Sequence, residues 1–435
     1  MRNGDGAETE SGRYLRPVAP DLPTSADAEL LIVGAGPAGI AAALEAQRLG
    51  KRPVVVDKAA FPRDKICGDG LTTGALRLLD SLGLDVRELP SYEVVHETVL
   101  VTPSGGDIRL PLPDDGGLHS AVVRRVELDA ALVELARERG IELREGVEVT
   151  GARSDGARAE VTLAGPGGST DTITASWVVA ADGHWSPLRR MLREQAGEPT
   201  KPELGTWHAF RQYFTGVDDR RLWVIFDADL LPGYAWVFPV AGGGANVGFG
   251  LLRGGPAPTD GKSLARIWEG LTDRPGVRRA LGPHAQPEGR RQAWPIPADY
   301  SKAHLVHGRF LFAGDSANVV DPMTGEGIAQ ALETGVLAAR AIATQGPGNV
   351  AATYRESVDR TLGSDLRFAA LLQKVLANPW GARAALAAAG ASPWTRRNFA
   401  RWMFEDYPRA LLFTPRRWQR GMFTPAGAYQ DQSAG

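Results

Sequence analysis

One segment of this 435-residue chain is enough to predict its fold class: Glu29-Leu30-Leu31-Ile32-Val33-Gly34-Ala35-Gly36-Pro37-Ala38-Gly39. Its first five residues form a short apolar run typical of a buried parallel strand. The rest fits G-x-G-x-x-G, in which Gly34 permits a tight turn and Gly36 lets the backbone approach a pyrophosphate. Gly39 allows a helix to pack closely on the strand. The stretch therefore predicts a Rossmann-type dinucleotide site.

The residues that follow complete a βαβ unit. A helix is expected from Pro37 to about Leu49, ended by Gly50, and a second strand from Arg52 to Val56. Asp57 stands at the end of that strand, where an acid is needed to accept a ribose hydroxyl. The helix N-terminus would meet the phosphate charge. This fingerprint by itself does not distinguish FAD from NAD.

Composition excludes several classes of protein. A hydrophobic content of 43% and a charged content of 23% are ordinary for a globular protein, and the length predicts two or three interlocked domains. The net charge of −2 provides no basic field for nucleic acid. With Cys67 alone and no ligand-like His spacing, neither a disulfide framework nor a metal site is expected. Residues 1–27 predict a disordered tail without a signal peptide, so a cytoplasmic protein is expected.

Periodicity along the rest of the chain predicts an α/β fold with a β-sheet insertion and a helical C-terminal region. The expected elements are a small β insertion at 92–112, an amphipathic helix at 127–139, strands within 142–163, a buried strand at 177–181, a sheet within 207–252, a buried strand at 309–313, a long helix at 325–344 and further helices after 346.

Three ordered segments resemble the group A flavoproteins, a family with the para-hydroxybenzoate hydroxylase-like fold that includes aromatic hydroxylases, flavin halogenases and geranylgeranyl reductases. They are Val178–Gly183, Phe310–Asp315 and Pro322–Gly327. The resemblance implies FAD as the cofactor, with Asp315 on the ribityl chain. The backbone around Gly325 and Gly327 would begin a helix whose positive end stabilises the reduced flavin.

Two further segments resemble the geranylgeranyl reductase branch. Phe61–Leu71 is similar to its Lys-x-Cys-Gly signature, and Pro232–Pro239, followed by Asn246-Val247-Gly248, to its Tyr-x-Trp-x-Phe-Pro segment. The resemblance implies that the first segment lies against the flavin ring and that the second lines the substrate cavity. Both have a plainer alternative, since Cys67 could be a small buried hydrophobe and the aromatic residues could be ordinary core.

The resemblance implies a set of cofactor-binding residues and domain bounds. The cofactor set is Gly34, Gly36, Ala38, Gly39, Asp57, Lys58, Cys67, Gly68, Gly70, Arg125, Val149, Asp182, Gly183, Gly314, Asp315, Pro322, Gly325, Gly327 and Ile328. The domains are a tail at 1–27, an FAD-binding domain at 28–91, 120–200 and 300–345, a substrate-binding β domain at 92–119 and 201–299, and a helical region at 346–435. For Arg125 a solvated surface position is the plainer alternative.

The resemblance implies reduction of carbon–carbon double bonds in a polyprenyl substrate, such as geranylgeranyl diphosphate or a menaquinone side chain. Cys67, Tyr234 and Trp236 are the candidate catalytic residues, and NADPH or a ferredoxin-like protein would supply electrons. A flavin monooxygenase stays open as an alternative. A halogenase is less favoured, because Tyr234 and Phe238 depart from the G-W-x-W-x-I-P pattern of halogenases. A flavin-binding sensor is less favoured as well, because a second domain rich in apolar and aromatic residues indicates a substrate cavity.

The C-terminal region, rich in Arg and Trp from about Thr353 to Phe423, leaves three interpretations open. It could contact a membrane surface, it could bind a diphosphate, or it could be a solvated helical layer that covers the core, which is favoured slightly. The oligomeric state is open.

Overall fold

The computed structural model describes residues 26–112, 119–198 and 204–404. Most of the predicted tail at 1–27, and the end of the predicted helical region at 405–435, lie outside the described residues.

The strands, numbered in chain order, form an N-terminal group interleaved with helices and a dense later group. They are β1 Ala26–Val33, β2 Pro53–Asp57, β3 Gly70–Leu71, β4 Glu93–Val94, β5 Glu97–Val101, β6 Asp107–Pro111, β7 Ala121–Val122, β8 Glu142–Glu145, β9 Glu148–Ser154, β10 Ala159–Ala164, β11 Thr170–Ala180, β12 Trp207–Thr215, β13 Leu222–Ile225, β14 Tyr234–Val240, β15 Gly244–Leu252, β16 Gln286–Ile296, β17 Val306–His307 and β18 Phe310–Phe312.

The α-helices flank the first group of strands and form the end of the described chain. They are α1 Pro37–Arg48, α2 Thr73–Ser81, α3 Arg125–Glu138, α4 Pro187–Gln195, α5 Gly261–Glu269, α6 Pro275–Leu281, α7 Ile328–Thr344, α8 Val350–Val358, α9 Ser364–Leu376, α10 Pro379–Gly390 and α11 Pro393–Phe404. None of those in the described part of the chain is long and apolar enough to span a bilayer.

The first sheet has the strand order β17-β18-β11-β1-β2-β8, and β1 pairs in parallel with both β2 and β11. Leu30, Leu31 and Ile32 are fully buried, as expected for a parallel strand covered on both faces. The first half of β11 also pairs antiparallel with β10, which extends the sheet through β9. The strand predicted at 177–181 is therefore the second half of a longer strand.

Helices α1 and α7 pack on this sheet with their backbones nearly touching. A Cβ at Gly335 in α7 would lie 2.1 Å from the carbonyl oxygen of Ala38 in α1. At the N-terminal ends of the two helices, Gly314 lies between Ala38 and Ala331, where a Cβ would be 3.2 and 3.3 Å from their methyl carbons. Only small residues permit this approach, and it brings both helix N-termini to one place.

The second sheet has the order β16-β12-β15-β14-β13-β5-β6 and is antiparallel except for the β13–β5 pair. The face of β14 that carries Ala235 and Val237 packs into an apolar core with β15 and the helices α5 and α6. The opposite face carries the aromatic residues of the Tyr-x-Trp-x-Phe pattern. Because β5 and β6 join β12–β16, the two chain segments predicted for the substrate domain share one sheet.

The predicted fold class is confirmed: a parallel α/β unit carries a largely antiparallel sheet and ends in α8–α11. The domain bounds given above stay a prediction. Helix α7 begins at Ile328, three residues later than predicted, because Gly325 has a φ of +73° and residues 321–327 form a hydrogen-bonded turn. The prediction that Gly325 begins the helix was therefore wrong, whereas Gly327 is its N-cap.

Candidate active site

A cavity of about 490 Å³ lies between the carboxyl ends of the first sheet's strands and the aromatic face of the second sheet. Ligands bind at this edge of doubly wound sheets, where the loops after neighbouring strands diverge. The volume is that of a typical small-molecule site. Residues from both sheets line the cavity, so a ligand bound there contacts both parts of the fold.

The glycine turn forms one end of the cavity, and its three glycines have different surroundings. Gly34 has a φ of +105°, and a Cβ there would lie 2.2 Å from the Ala181 carbonyl oxygen. At Gly39 a Cβ would lie 1.8 Å from the Gly34 carbonyl oxygen. At Gly36 the nearest atom would be the Nη2 of Arg63, at 3.5 Å. Gly34 and Gly39 therefore hold the turn together, while Gly36 is open towards the cavity.

Asp57, at the end of β2, is buried beside the glycine turn. Its Oδ2 accepts the Ala35 N–H at 2.7 Å, and its Oδ1 accepts the Ala59 N–H at 2.8 Å. These bonds fix the carboxylate at the cavity wall, and each oxygen keeps a further lone pair for a ligand hydroxyl. Lys58 is exposed at the outer end of the same wall.

The predicted Asp-Gly and Gly-Asp segments come together where β11 and β18 end. Asp182 and Asp315 both line the cavity. The Leu188 N–H donates to Oδ2 of Asp182 at 3.1 Å, and burial raises the pKa of Asp182 to about 6. Asp315 follows Gly314, whose N–H donates to the Thr334 hydroxyl in α7 at 2.9 Å. Parallel pairing of the two strands is what aligns these segments.

The turn before α7 is held by Asp321, whose Oδ1 accepts the N–H groups of Met323 and Thr324 at 2.9 and 2.8 Å. Gly325 and Gly327 line the cavity, but Pro322 does not. Instead, the Pro322 carbonyl accepts the indole N–H of Trp207 at 3.1 Å. Pro322 was predicted to bind the cofactor, but it lies outside the residues that line the cavity.

Arg125, at the start of α3, is buried, which excludes the surface interpretation. Its guanidinium donates to both carboxylate oxygens of Asp129, at 2.8 and 2.9 Å, in a two-pronged ion pair. Arg63 lies 3.1 Å from the same carboxylate. Both arginines line the cavity, so Asp129 holds two cations at its wall.

The Cys67 turn, residues 65–70, lines the cavity and lies close to the aromatic face. Cys67 is central to it. Its Sγ accepts the Asp69 N–H at 3.3 Å, and burial raises the pKa of the Cys67 thiol. A Cβ at Gly68 or at Gly70 would lie 3.5 Å from the Phe238 ring. The two glycines therefore let the turn approach the aromatic face closely.

Tyr234, Trp236 and Phe238 alternate along β14 and point to the cavity. The ring centroids of Tyr234 and Trp236, and of Trp236 and Phe238, are 6.1 Å apart. The Tyr234 hydroxyl donates to the Thr324 carbonyl in the turn before α7. This aromatic wall lines the cavity, as the resemblance implies, and its Trp236 and Phe238 are at the same time largely buried among apolar neighbours.

Of the predicted site residues, all but Gly39 and Pro322 line the cavity. Those brought together are Gly34, Gly36, Ala38, Asp57, Lys58, Cys67, Gly68, Gly70, Arg125, Val149, Asp182, Gly183, Tyr234, Trp236, Gly314, Asp315, Gly325, Gly327 and Ile328.

Sequence reasoning missed several polar residues of the site. Asp69 is fully buried and receives the Tyr213 hydroxyl at 2.5 Å and the Asn246 amide at 2.8 Å. Lys65 places its ammonium 3.6 Å from the Trp294 ring centroid, and burial lowers the pKa of Lys65 to about 8. An acid between two glycines is a signal that could have found Asp69. Tyr213 and Trp294 have no local signal, because only the sheet register brings Tyr213 to Asp69 and Trp294 to the cavity.

The residues present fit FAD. Gly36 leaves an open approach to the first helix N-terminus, and Gly327 places the second N-terminus at the same cavity. Arg63, Lys65 and Arg125 supply positive charge for a pyrophosphate or an anionic ring. The aromatic wall supplies an apolar flank for a ring system.

Comparison with known proteins agrees with this geometry. Residues 27–354 match the FAD binding domain family. The menaquinone reductase of Mycolicibacterium smegmatis is 32% identical over 341 residues, covering 73% of this chain and 77% of that protein. Digeranylgeranylglycerophospholipid reductase 1 of Methanococcoides burtonii is 29% identical over 319 residues, covering 71% and 73%. A flavin-dependent halogenase of Armillaria mellea is 28% identical over 357 residues, covering 75% and 69%.

A solved structure shows the same fold. The geranylgeranyl bacteriochlorophyll reductase-like protein of Thermoplasma acidophilum superposes with a TM-score of 0.73 at 20% identity, covering 90% of this chain and 99% of that one. The expectation of FAD as the cofactor is confirmed by the family match. The chain therefore belongs to the FAD binding domain family of FAD-dependent oxidoreductases, as its resemblance to the geranylgeranyl reductases predicts.

Proposed function

We propose that this enzyme reduces carbon–carbon double bonds in a polyprenyl substrate. The observation that carries the proposal is the aromatic wall of β14, which lines, together with the Cys67 turn, a cavity continuous with the dinucleotide fingerprint. An isoprene chain offers no polar groups, so burial against aromatic rings is the main interaction available for binding it. Two relatives named as reductases of menaquinone and of a digeranylgeranyl lipid support this substrate class.

Bound FAD, once reduced, supplies the hydride for one carbon of the double bond. The chain contributes an apolar wall that excludes water and orients the alkene. Cys67 and Tyr234 are the candidate proton carriers at this wall, since both line the cavity and both hold a transferable proton. The hydroxyl of Tyr234 points to the Thr324 carbonyl, so a relay through it requires that this hydrogen bond exchange.

The electron donor is part of the proposal, with two alternatives. NADPH can approach the flavin along the outer cavity wall, or a small ferredoxin-like protein can deliver electrons. Stopped-flow reduction of the bound FAD by NADPH under anaerobic conditions separates the two. Reduction within seconds supports NADPH, whereas reduction only after a reduced ferredoxin is added supports the protein donor.

We also propose that the C-terminal helices contact a membrane surface. Residues 366–404 contain no Asp or Glu, while their basic residues are Arg367, Lys374, Arg383, Arg396, Arg397 and Arg401. The same stretch exposes large apolar side chains at Leu371, Val375, Trp380 and Trp394. Cations beside exposed aromatic residues match an anionic lipid surface.

Sedimentation with vesicles of anionic or zwitterionic lipid tests the membrane proposal. Wild-type protein is expected to bind the anionic vesicles, and Trp380→Ala with Lys374→Gln is expected to bind them less. Trp268→Ala, in helix α5 beside the second sheet, serves as the control. If the wild-type protein binds neither type of vesicle, the region is better interpreted as a solvated helical layer.

The reaction is tested without oxygen. The bound flavin is reduced, geranylgeranyl diphosphate or a menaquinone is added, and reoxidation is followed by absorbance while mass spectrometry examines the product. Reoxidation with a gain of two hydrogens per bond supports the proposal. Reoxidation only after oxygen is admitted, with an oxygen atom added to a product, would assign the enzyme to the monooxygenases.

A further inference from the structure

One buried amide joins the two walls of the cavity. Asn246, on β15, is fully buried. Its Nδ2 donates at 2.8 Å both to the Cys67 carbonyl and to Oδ2 of Asp69. Its Oδ1 accepts the indole N–H of Trp236 at 3.0 Å. This amide therefore contacts the Cys67 turn and the aromatic wall at the same time.

Asp69 is the centre of the network on the side of the turn. Its Oδ2 accepts the Tyr213 hydroxyl at 2.5 Å, and its Oδ1 accepts the Arg125 N–H at 3.3 Å. Its own N–H points to Sγ of Cys67, and its carbonyl accepts the Val123 N–H at 3.0 Å. Its φ of +67° is left-handed, a conformation that Asp and Asn adopt more readily than most residues.

The network joins chain segments that are far apart in sequence. Asp69 follows Cys67 in the turn after β2, whereas Tyr213 and Asn246 belong to β12 and β15 of the second sheet. A buried carboxylate is costly, and one surrounded by donors is held in a single position. An apolar turn would pack against β14 without this cost. The polar network therefore determines the relative position of two surfaces rather than simply filling space.

We propose that Asp69 and Asn246 are positioning residues that hold the Cys67 thiol and the Trp236 ring in a defined relation at the cavity wall. In the proposed reductase this relation determines how the apolar chain lies beside the flavin and hence which double bonds are reduced. This consequence rests on the proposed function, while the placement of the thiol does not.

The placement of the thiol can be measured directly because Cys67 is the sole cysteine in the sequence. The rate of alkylation of the holoenzyme by iodoacetamide, followed against pH, therefore reports on this residue alone. Asn246→Leu is expected to raise the rate about fivefold at every pH, because the turn loses its link to β15. Asp69→Asn keeps the left-handed backbone and is expected to lower the pKa of the Cys67 thiol measured by alkylation, because a nearby negative charge is removed.

The other charged groups facing the thiol are Arg125, Lys65 and Glu326, and all variants keep them. Gln212→Leu is the matched control, since its amide lies on β12 and donates to the Gly289 carbonyl at 2.6 Å, away from the turn. It is expected to behave as wild type. If Asn246→Leu fails to fold, Tyr213→Phe provides a second test, because it removes one hydrogen bond to Asp69 and keeps the ring. It should raise the alkylation rate of Cys67 by a smaller factor than Asn246→Leu.

The product pattern separates this inference from the proposed function. With a substrate of several double bonds, Asn246→Leu should change the number of bonds reduced and the KM more than kcat, with FAD content unchanged. Absence of polyprenyl reduction by the wild type would refute the proposed function while leaving the alkylation result valid. Alkylation rates and pKa values equal to wild type in Asn246→Leu, Asp69→Asn and Tyr213→Phe would overturn the positioning role.

Discussion

Gly36→Ala should weaken FAD binding while leaving the stability of the fold nearly unchanged. Gly36 has φ −75° and ψ −175°, which alanine adopts freely, and the new methyl would meet only the Nη2 of Arg63 at 3.5 Å. The loss in unfolding free energy should therefore be about 1 kcal/mol or less, the cost of alanine at a helix N-cap. In the holoenzyme the methyl would keep the pyrophosphate from the N–H groups of α1. Weakening these hydrogen bonds by about 2 kcal/mol corresponds to an FAD affinity about 30-fold lower.

Titration of the apoprotein with FAD, followed by flavin fluorescence, measures the affinity, and urea unfolding measures the stability. Gly34→Ala is the contrasting variant, because φ +105° and an approach of 2.2 Å to the Ala181 carbonyl should cost about 3 kcal/mol or more in stability. Gly50→Ala is the matched control, with φ +80° and no atom within 4 Å. It should lose about 1 kcal/mol and bind FAD normally. An FAD affinity of Gly36→Ala within twofold of wild type would refute the assignment of Gly36 to the pyrophosphate.

Three further predictions concern single side chains. Asp315→Ala should yield protein largely free of FAD by absorbance, because Asp315 places its carboxylate at the cavity directly after β18, and a normally loaded holoenzyme would contradict its role on the ribityl chain. Cys67→Ser should keep FAD and change turnover or product pattern, and unchanged kinetics with unchanged products would return Cys67 to a packing role. Burial raises the pKa of Asp69 to about 6 from an ordinary 3.8, so between these values the folded state holds a proton that the unfolded chain has released. The unfolding free energy should therefore fall as the pH rises from about 4 to about 6. Burial also raises the pKa of Asp182, so Asp182 lowers the unfolding free energy over the same pH range. Urea unfolding should therefore show a smaller fall of the unfolding free energy with pH in Asp69→Asn than in wild type. Equal slopes would refute the raised pKa of Asp69.

Local pattern was sufficient for the nucleotide-binding half of the molecule. The apolar run at Leu30–Val33 followed by the glycine turn has one common structural solution, and Asp57 lies where the motif places it, with its carboxylate on the Ala35 N–H. The long Ala-rich helix was also predictable, although its start was not. Gly325 and the hydrogen bonds of Asp321 delay the helix to Ile328, and neither effect is visible in hydrophobic periodicity.

The fold class could be predicted from the sequence alone, and the cofactor from its resemblance to the group A flavoproteins, because both depend on short segments whose backbone geometry is set by glycines and flanking strands. The arrangement of the cavity wall formed by the second sheet depends instead on tertiary contacts. Tyr213 and Asn246 reach Asp69 through the antiparallel register of β12 and β15, and Trp236 joins them through β14. The hydrogen bonds of Tyr213 and Asn246 to Asp69 join residues more than 140 positions apart, for which no local pattern exists.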